Sequence, residues 1–340
     1  MIKKTIGFVG GKFLPFHQGH VYLIMEASTY VDKLYVVVSS SKNRDKELCE
    51  RDGIGYIPAE VRLSWIGEEI SDLENIEIIH LEDEHGDSDY DWEEGANKIK
   101  EAIKEPIDYV FSSEKNYDEQ FKKYYPGAKH VIIDDKRKTV TISATEMRKN
   151  LYDNWNKLPN CVRGYFTKKV LVVGTESCGK STLVKKLAKF YNTNYVPEVG
   201  REYCVRYSDN LTREMFDEIA MEHFLLVRKK TKESNKVLFV DTDAIITQYY
   251  LEVYFEGNKS PLIEEIIKLE DYDLIIYLEP DVPWIDDGLR NLGEEKVRKE
   301  KNKELKKMLT DRGVEFISVS GNYTERFNKS RELVNELFEK

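Results

Sequence analysis

The chain has 340 residues, too many for one ordinary domain and suited to two. Its composition, 41% hydrophobic and 34% charged, is that of a soluble globular protein, and its net charge of −10 excludes a general nucleic-acid binder. Cys49, Cys161, Cys178 and Cys204 are scattered with no Cys-x-x-Cys pair, which argues against a disulfide framework and against a zinc site. No apolar run is long enough to span a bilayer, and the short apolar start is followed by charge and proline rather than by a signal-peptide pattern. The expected compartment is the cytoplasm, with no membrane insertion.

Strands and helices alternate along the whole chain, the pattern of parallel α/β sheets. In the first half, strands are predicted over 6–9, 34–38, 76–79, 109–111 and 131–133. The run 34–38 is apolar throughout, as in a strand covered on both faces. Helices are predicted over 59–70 and 92–103, and after the first strand, where Leu23, Ile24, Ala27 and Val31 share a face. A second unit starts at Lys169, with strands over 170–173, 237–240, 274–278 and 316–319. Its first helix turns Leu183, Val184, Leu187 and Ala188 inward. The expected domains are 1–150 and 168–340. The junction 151–167 holds Leu151, Tyr152, Trp155 and Leu158, which suit a packed helical bridge.

The first strand runs into Gly10-Gly11-Lys12-Phe13-Leu14-Pro15-Phe16-His17-Gln18-Gly19-His20. The glycines let backbone approach a ligand, and a helix start supplies N–H groups and positive dipole for an anion. His17 and His20 can donate hydrogen bonds to phosphate oxygens as charge builds up. On their own they fit a merely capped helix start equally well. A second segment, Ile142-Ser143-Ala144-Thr145-Glu146-Met147-Arg148, reads two ways. Ser143 and Glu146 suit a capping box, whereas Ser143, Thr145 and Arg148 suit a second phosphate cradle.

The pair Gly-Lys-Phe-x-Pro-x-His-x-Gly-His and Ile-Ser-x-Thr-x-x-Arg resembles the nucleotidyltransferase superfamily named for its His-x-Gly-His motif. That resemblance implies a Rossmann-like fold and adenylyl transfer, with catalysis by positioning and charge stabilisation. Gly11, Lys12, Phe13, Ser143 and Thr145 would hold the nucleotide; His17, His20 and Arg148 would act on it. For the acceptor mononucleotide, the candidates are Arg44, Arg62, Trp65, Trp92 and Ser113. Trp92 suits an aromatic plate for a flat base and suits a core anchor nearly as well. Arg44 and Arg62 suit a phosphate grip or plain surface charge.

In the second half, Gly174-Thr175-Glu176-Ser177-Cys178-Gly179-Lys180-Ser181-Thr182 satisfies Gly-x-x-x-x-Gly-Lys-Ser/Thr between a strand and a helix. Here Gly174, Glu176, Ser177, Gly179, Ser181 and Thr182 would bind the triphosphate, Lys180 its β and γ oxygens, and the Ser181 hydroxyl Mg²⁺. Val237-Leu238-Phe239-Val240-Asp241-Thr242-Asp243 ends an apolar strand in acid. Asp241 and Asp243 are candidates for Mg²⁺ ligand or catalytic base, and one of them for a helix N-cap. Glu198, Arg201 and Glu202 sit where small-molecule kinases place acceptor contacts. Arg290, in Trp284-Ile285-Asp286-Asp287-Gly288-Leu289-Arg290, reads as a lid residue or as a solvated loop.

Taken in order, these motifs resemble the NadR family over nearly the whole chain. The telling residues are Gly-Arg-Glu at 200–202, Asp-Thr-Asp at 241–243 and the Trp284–Arg290 motif. The resemblance implies ATP·Mg²⁺ in both halves, phosphorylation of ribosylnicotinamide on its ribose 5′-hydroxyl to nicotinamide mononucleotide (NMN), and adenylylation of NMN to NAD. It also implies homo-oligomers and supply by a nicotinamide-riboside transporter. Some members carry an N-terminal helix-turn-helix repressor. This sequence opens on the first transferase strand, so the expectation is no such module and no nucleic-acid partner. The competing readings are a P-loop kinase for another nucleoside fused to a transferase for another acceptor, and a non-catalytic NAD/ATP sensor.

Overall fold

The computed structural model describes residues 4–82, 91–208, 210–282 and 295–339. The chain forms two compact units, 1–162 and 163–340, and each is treated by itself below. The division falls inside the predicted junction. There the chain forms a short helix, Asn160–Phe166, and Leu151, Trp155 and Leu158 are buried. Among the described residues no helix is long and apolar enough to cross a membrane.

Unit one is a five-stranded parallel sheet of β1 (Ile6–Gly11), β2 (Lys33–Ser40), β3 (Ile76–Glu82), β4 (Tyr109–Ser112) and β5 (Lys129–Ile132), in the order β3-β2-β1-β4-β5. All five predicted strands are present. Leu34, Val36 and Val38 on one face of β2 and Tyr35 and Val37 on the other are all buried, so the strand is covered on both faces. The predicted helix over 92–103 is observed at Trp92–Ile103, and the Asp91 carboxylate caps it by accepting from Glu93 and Glu94 N–H.

Unit two is a second parallel sheet of β6 (Lys168–Val173), β7 (Tyr195–Val196), β8 (Val237–Asp241), β9 (Leu274–Leu278) and β10 (Ile317–Val319), in the order β10-β9-β6-β8-β7. Along β6 the period of two sends Val170 and Val172 to one core and Leu171 and Val173 to the other. Leu183, Val184, Leu187 and Ala188 join the first of these, as the helical spacing requires. Each large buried aliphatic side chain among them contributes about 1.5–3 kcal/mol. The two-residue β7 was not predicted. It is too short to carry a period and is placed by its pairing with β8.

In both units the central strand, β1 or β6, has neighbours on either side that wind away from it. A topological switch point therefore lies at its C-terminal end, where α/β sheets bind ligands.

Candidate active sites

In unit one the turn after β1 opens into a cavity of about 910 Å³. Its wall includes Gly11, Lys12, Phe13, His17, His20, Arg44, Trp92, Ser113 and Ser143 among the predicted residues. His17 is the N-cap of the helix Gln18–Ser28, and its Nδ1 accepts from Gly19 N–H over 3.1 Å. That bond fixes the tautomer, so the proton sits on Nε2, which is buried and has no hydrogen-bond partner. The His20 ring stacks on His17 with centroids 3.7 Å apart, and its Nδ1 is also unpartnered. Burial, with the Arg137 charge second, pushes His17 down to about 3. Burial holds His20 well below the usual range. Both rings are therefore neutral at physiological pH and present N–H and lone-pair groups to the cavity.

Four predicted residues do not line this cavity. Arg62 is fully buried, with Nη2 2.7 Å from Asp45 Oδ2 and Nη1 donating to Lys12 O over 2.7 Å. It braces the glycine turn from behind, and in that role it is turned away from any mononucleotide phosphate. Trp65, 5% exposed, belongs to the core. Arg148 donates to Asp52 Oδ2 and to Leu14 O, each over 2.7 Å, and to Thr145 Oγ1 over 3.2 Å. Arg148 and Thr145 are thus positioning residues, which tie the second segment to the glycine turn. Ser143 remains on the wall, its Oγ accepting from Glu146 N–H; the Glu146 carboxylate turns to Asn150, so only half of the capping box forms.

Arg137 was not anticipated. It lines the cavity, and its charge bears on both His17 and His20. Within the stretch Asp134-Asp135-Lys136-Arg137-Lys138 nothing marks one cation above its neighbours. Its guanidinium is placed by Glu114, to whose Oε1 its Nη2 donates over 2.6 Å, and the turn that carries it is closed by Asp134, whose carboxylate accepts from the N–H groups of residues 138, 139 and 140. One end of the cavity is aromatic, with Trp92 5.1 Å from Tyr117 and 5.6 Å from Phe121.

In unit two the loop 174–179 joins β6 to the helix Lys180–Phe190. Gly174 has φ +147°, and a Cβ there would meet Leu278 O at 2.6 Å, so only glycine fits. Gly174 shapes the loop from below the wall. The cavity of about 480 Å³ is lined by Glu176, Ser177, Gly179, Lys180, Ser181, Thr182, Glu198, Arg201, Glu202 and Asp241. Lys180 is buried and donates to Thr175 O over 3.0 Å, which aims it along the loop. The Asp241 carboxylate is 1% exposed, lacks a well-formed hydrogen bond and lies beside Ser181. Burial, with Glu198 second, pushes it up to about 6 against the pull of Lys180. Asp241 and Ser181 are oxygen donors of the kind a hard divalent cation takes together with substrate phosphates. No cluster of three His, Cys, Asp or Glu side chains able to hold a metal alone occurs among the described residues.

Asp243 is corrected here. Its Oδ1 accepts from Ile246 N–H over 2.9 Å as N-cap of the helix Ala244–Tyr254, and it faces Glu270 and Arg312 away from the phosphate loop. The 284–290 motif, with Arg290, lies outside the described residues. Arg326, which no motif marked, anchors the loop instead: it donates to Cys178 O, and to Gly321 O and Glu279 O over 2.7 Å each. A second recess of about 320 Å³ shares Glu176, Glu198 and Arg201 with the first and is walled by Phe216, His223, Tyr250 and Tyr254.

These features define a two-unit nucleotide-handling enzyme, a nucleotidyltransferase-like half followed by a P-loop kinase-like half. Residues 8–150 match the cytidylyltransferase-like family, and residues 169–326 match the AAA domain family. The chain is 36% identical to the trifunctional NAD biosynthesis/regulator protein NadR of Escherichia coli K12, over 98% of this chain and 84% of that protein. The Salmonella typhimurium counterpart is 35% identical over the same shares. A crystal structure of NadR protein in complex with NR superposes with a TM-score of 0.78 at 28% identity, over 99% of this chain and 96% of that one. Another, in complex with NAD and AMP-PNP, gives 0.76 at 27% identity, over 98% and 96%. The chain belongs to the NadR family.

Proposed function

We propose the following division of labour between the two units. The chain is a bifunctional NAD-salvage enzyme. It phosphorylates ribosylnicotinamide with ATP in unit two and adenylylates NMN with ATP in unit one, giving NAD and pyrophosphate. The observation that carries this reading is one feature met twice in one chain. A glycine turn at the C-terminal end of each central strand opens into a cavity wide enough for a nucleotide.

In unit one a phosphate oxygen of NMN attacks the α-phosphorus of ATP, and the bond to the pyrophosphate oxygen breaks. His17, through its Nε2 proton, and His20 hydrogen-bond the phosphate oxygens as charge accumulates on them. Arg137 and Arg44 add positive charge at the same wall. Trp92 offers its face to the nicotinamide ring. In unit two the 5′-hydroxyl oxygen attacks the γ-phosphorus, the bond to the ADP oxygen breaks, and the hydroxyl proton is released to water. Lys180 neutralises the β and γ oxygens, while Glu198, Arg201 and Glu202 hold the acceptor ribose. Ser181 and Asp241 would hold Mg²⁺, which would supply further charge neutralisation there. We carry over from the family resemblance a cytoplasmic, self-associating enzyme fed with ribosylnicotinamide by a transporter.

The test is direct. Incubation with ATP·Mg²⁺ and ribosylnicotinamide, followed by chromatography, yields NMN and then NAD. Absence of both products contradicts the reading.

A further inference from the structure

The motif arginine of unit one is spent on the protein itself. Arg148 donates to Asp52, to Leu14 O and to Thr145. Lys12, on the cavity wall, is paired with buried Asp45 over 2.5 Å. Arg137 stands differently. It lines the cavity with His17, His20 and Ser143, and its partner Glu114 lines the same cavity. Both side chains of this pair are open to solvent, 43% and 44% exposed. An exposed ion pair contributes little stability and is readily exchanged for a better partner. The backbone beneath Arg137 is by contrast fixed. Its φ is +46°, in the left-handed region, as is that of Asp134 at +51°. The turn is closed by Arg137 N–H donating to Asp134 O over 2.8 Å and by the three N–H groups on the Asp134 carboxylate. A non-glycine residue held in that region costs energy that its surroundings supply, and such residues cluster at functional sites. After burial, Arg137 is the strongest influence holding His17 down, ahead of Arg148, and after burial and His17 it bears on His20. Arg137, rather than Arg148, is the cation that faces the two histidines.

Resting on the adenylyl-transfer reading of unit one, we propose that Arg137 is a catalytic residue that leaves Glu114 for the triphosphate of ATP and neutralises the departing pyrophosphate, with Glu114 as its latch until the nucleotide binds. A guanidinium on a phosphate makes charge-assisted, bidentate hydrogen bonds, and a triphosphate offers several negative oxygens where Glu114 offers one carboxylate. The exchange therefore favours the nucleotide. As a phosphate oxygen of NMN bonds to the α-phosphorus, the electron pair of the bond from that phosphorus to the bridging oxygen passes to pyrophosphate. Negative charge grows on the leaving side, and a donor placed there lowers the barrier more than it tightens ground-state binding. His17 and His20, both neutral, supply hydrogen bonds without net charge; Arg137 supplies the charge. Arg137 sits in the turn that leads into Ser143, assigned above to the nucleotide. That makes the triphosphate its target, and the NMN phosphate the alternative that kinetics must exclude.

The experiment measures steady-state NAD formation from NMN and ATP·Mg²⁺ by the whole chain, with the melting curve as the check that each variant is folded. Arg137→Ala should lower kcat about 100-fold, the scale of one charge-stabilising donor, with KM for NMN within about twofold. Arg137→Lys, which keeps the charge and loses the planar fork, should recover about tenfold of that loss. Glu114→Gln removes the latch charge and should lower KM for ATP about two- to fivefold, the most that an exposed ion pair withholds. In an Arg137→Ala background the same change should leave KM for ATP where it was. A rise in KM for NMN with kcat unchanged in Arg137→Ala moves the cation to the NMN phosphate and overturns the assignment. Wild-type kinetics in folded Arg137→Ala overturn it too, as does a Glu114→Gln effect that is the same with and without Arg137. Equal rates for the alanine and lysine variants overturn the role given to charge. If wild type makes no NAD from supplied NMN, the adenylyl-transfer reading itself falls.

Discussion

Arg148 Nε lies 2.7 Å from Asp52 Oδ2, a buried ion pair between residues 96 apart in sequence. The same guanidinium donates to Leu14 O, inside the first glycine turn. The two motifs that look like separate phosphate cradles in the sequence are thus one braced object. Arg51 and Arg148 together hold Asp52 down at about 2. The Asp52 contribution to stability is present above its unfolded value near 3.8 and is lost as pH falls toward 2.

A companion pair makes the first prediction. Arg62 and Asp45 are both fully buried at 2.7 Å, and Asp45 also pairs with Lys12 Nζ at 2.5 Å, so removing Arg62 takes away one of two cations from a buried carboxylate. Arg62→Ala should destabilise the chain by about 1–3 kcal/mol. The loss should appear as a lower melting temperature. KM for NMN in the residual folded protein should change little, since Arg62 lies off the cavity wall. A purely kinetic defect with unchanged melting would restore Arg62 to the substrate site.

Trp92 behaves oppositely. It lines the unit-one cavity at the start of its helix, against Tyr117 and Phe121. Trp92→Ala should raise KM for NMN about tenfold, the equivalent of ~1.4 kcal/mol, with kcat for adenylyl transfer nearly unchanged. Initial rates over a range of NMN concentrations decide it; an unchanged KM places the indole in the core only.

The buried ionisable groups predict two opposed pH trends. His17 sits near 3 and His223 near 4, both below the usual 6.5. Between these values the unfolded chain binds protons that the folded one does not, so stability falls as pH drops from about 6.5 toward 3. Glu270 is the reverse case. Burial, with Asp243 second, pushes it up from 4.5 to about 8, so stability falls as pH rises through that window. Glu270→Gln removes the ionisation. Its melting temperature should exceed wild type by a margin that grows from pH 5 to pH 8, at about 2–4 °C for each kcal/mol recovered. A margin independent of pH would show that Glu270 ionises freely in the folded state.

How legible was all this in the sequence? Nine of the ten strands among the described residues could be read, because a strand buried on both faces is a plain apolar run, as at 34–38 and 237–240. The glycine turns could be read too, since the chemistry of binding a phosphate fixes residue type at fixed spacing. What failed was the direction of side chains. Arg62 and Arg148 sit beside the cavity in sequence terms, yet their hydrogen bonds turn them inward, and exposed Thr145 is spent on Arg148. Asp241 and Asp243 are two residues apart, and the left-handed Thr242 between them, φ +69°, sends them to different faces. Arg137, His223 and Arg326 carry no motif at all. Their places depend on a turn, a helix face and a loop carbonyl that only the folded chain brings together.

The central claim is that two independent phosphate-gripping sites share one chain, and a crossed pair of variants tests it most directly. Lys180→Ala should abolish NMN formation from ribosylnicotinamide while NAD synthesis from supplied NMN stays within about twofold of wild type. His20→Ala should lower NAD synthesis about 100-fold or more and leave NMN formation intact. If either variant, shown to be folded by its melting curve, loses both activities, the two-site account is contradicted.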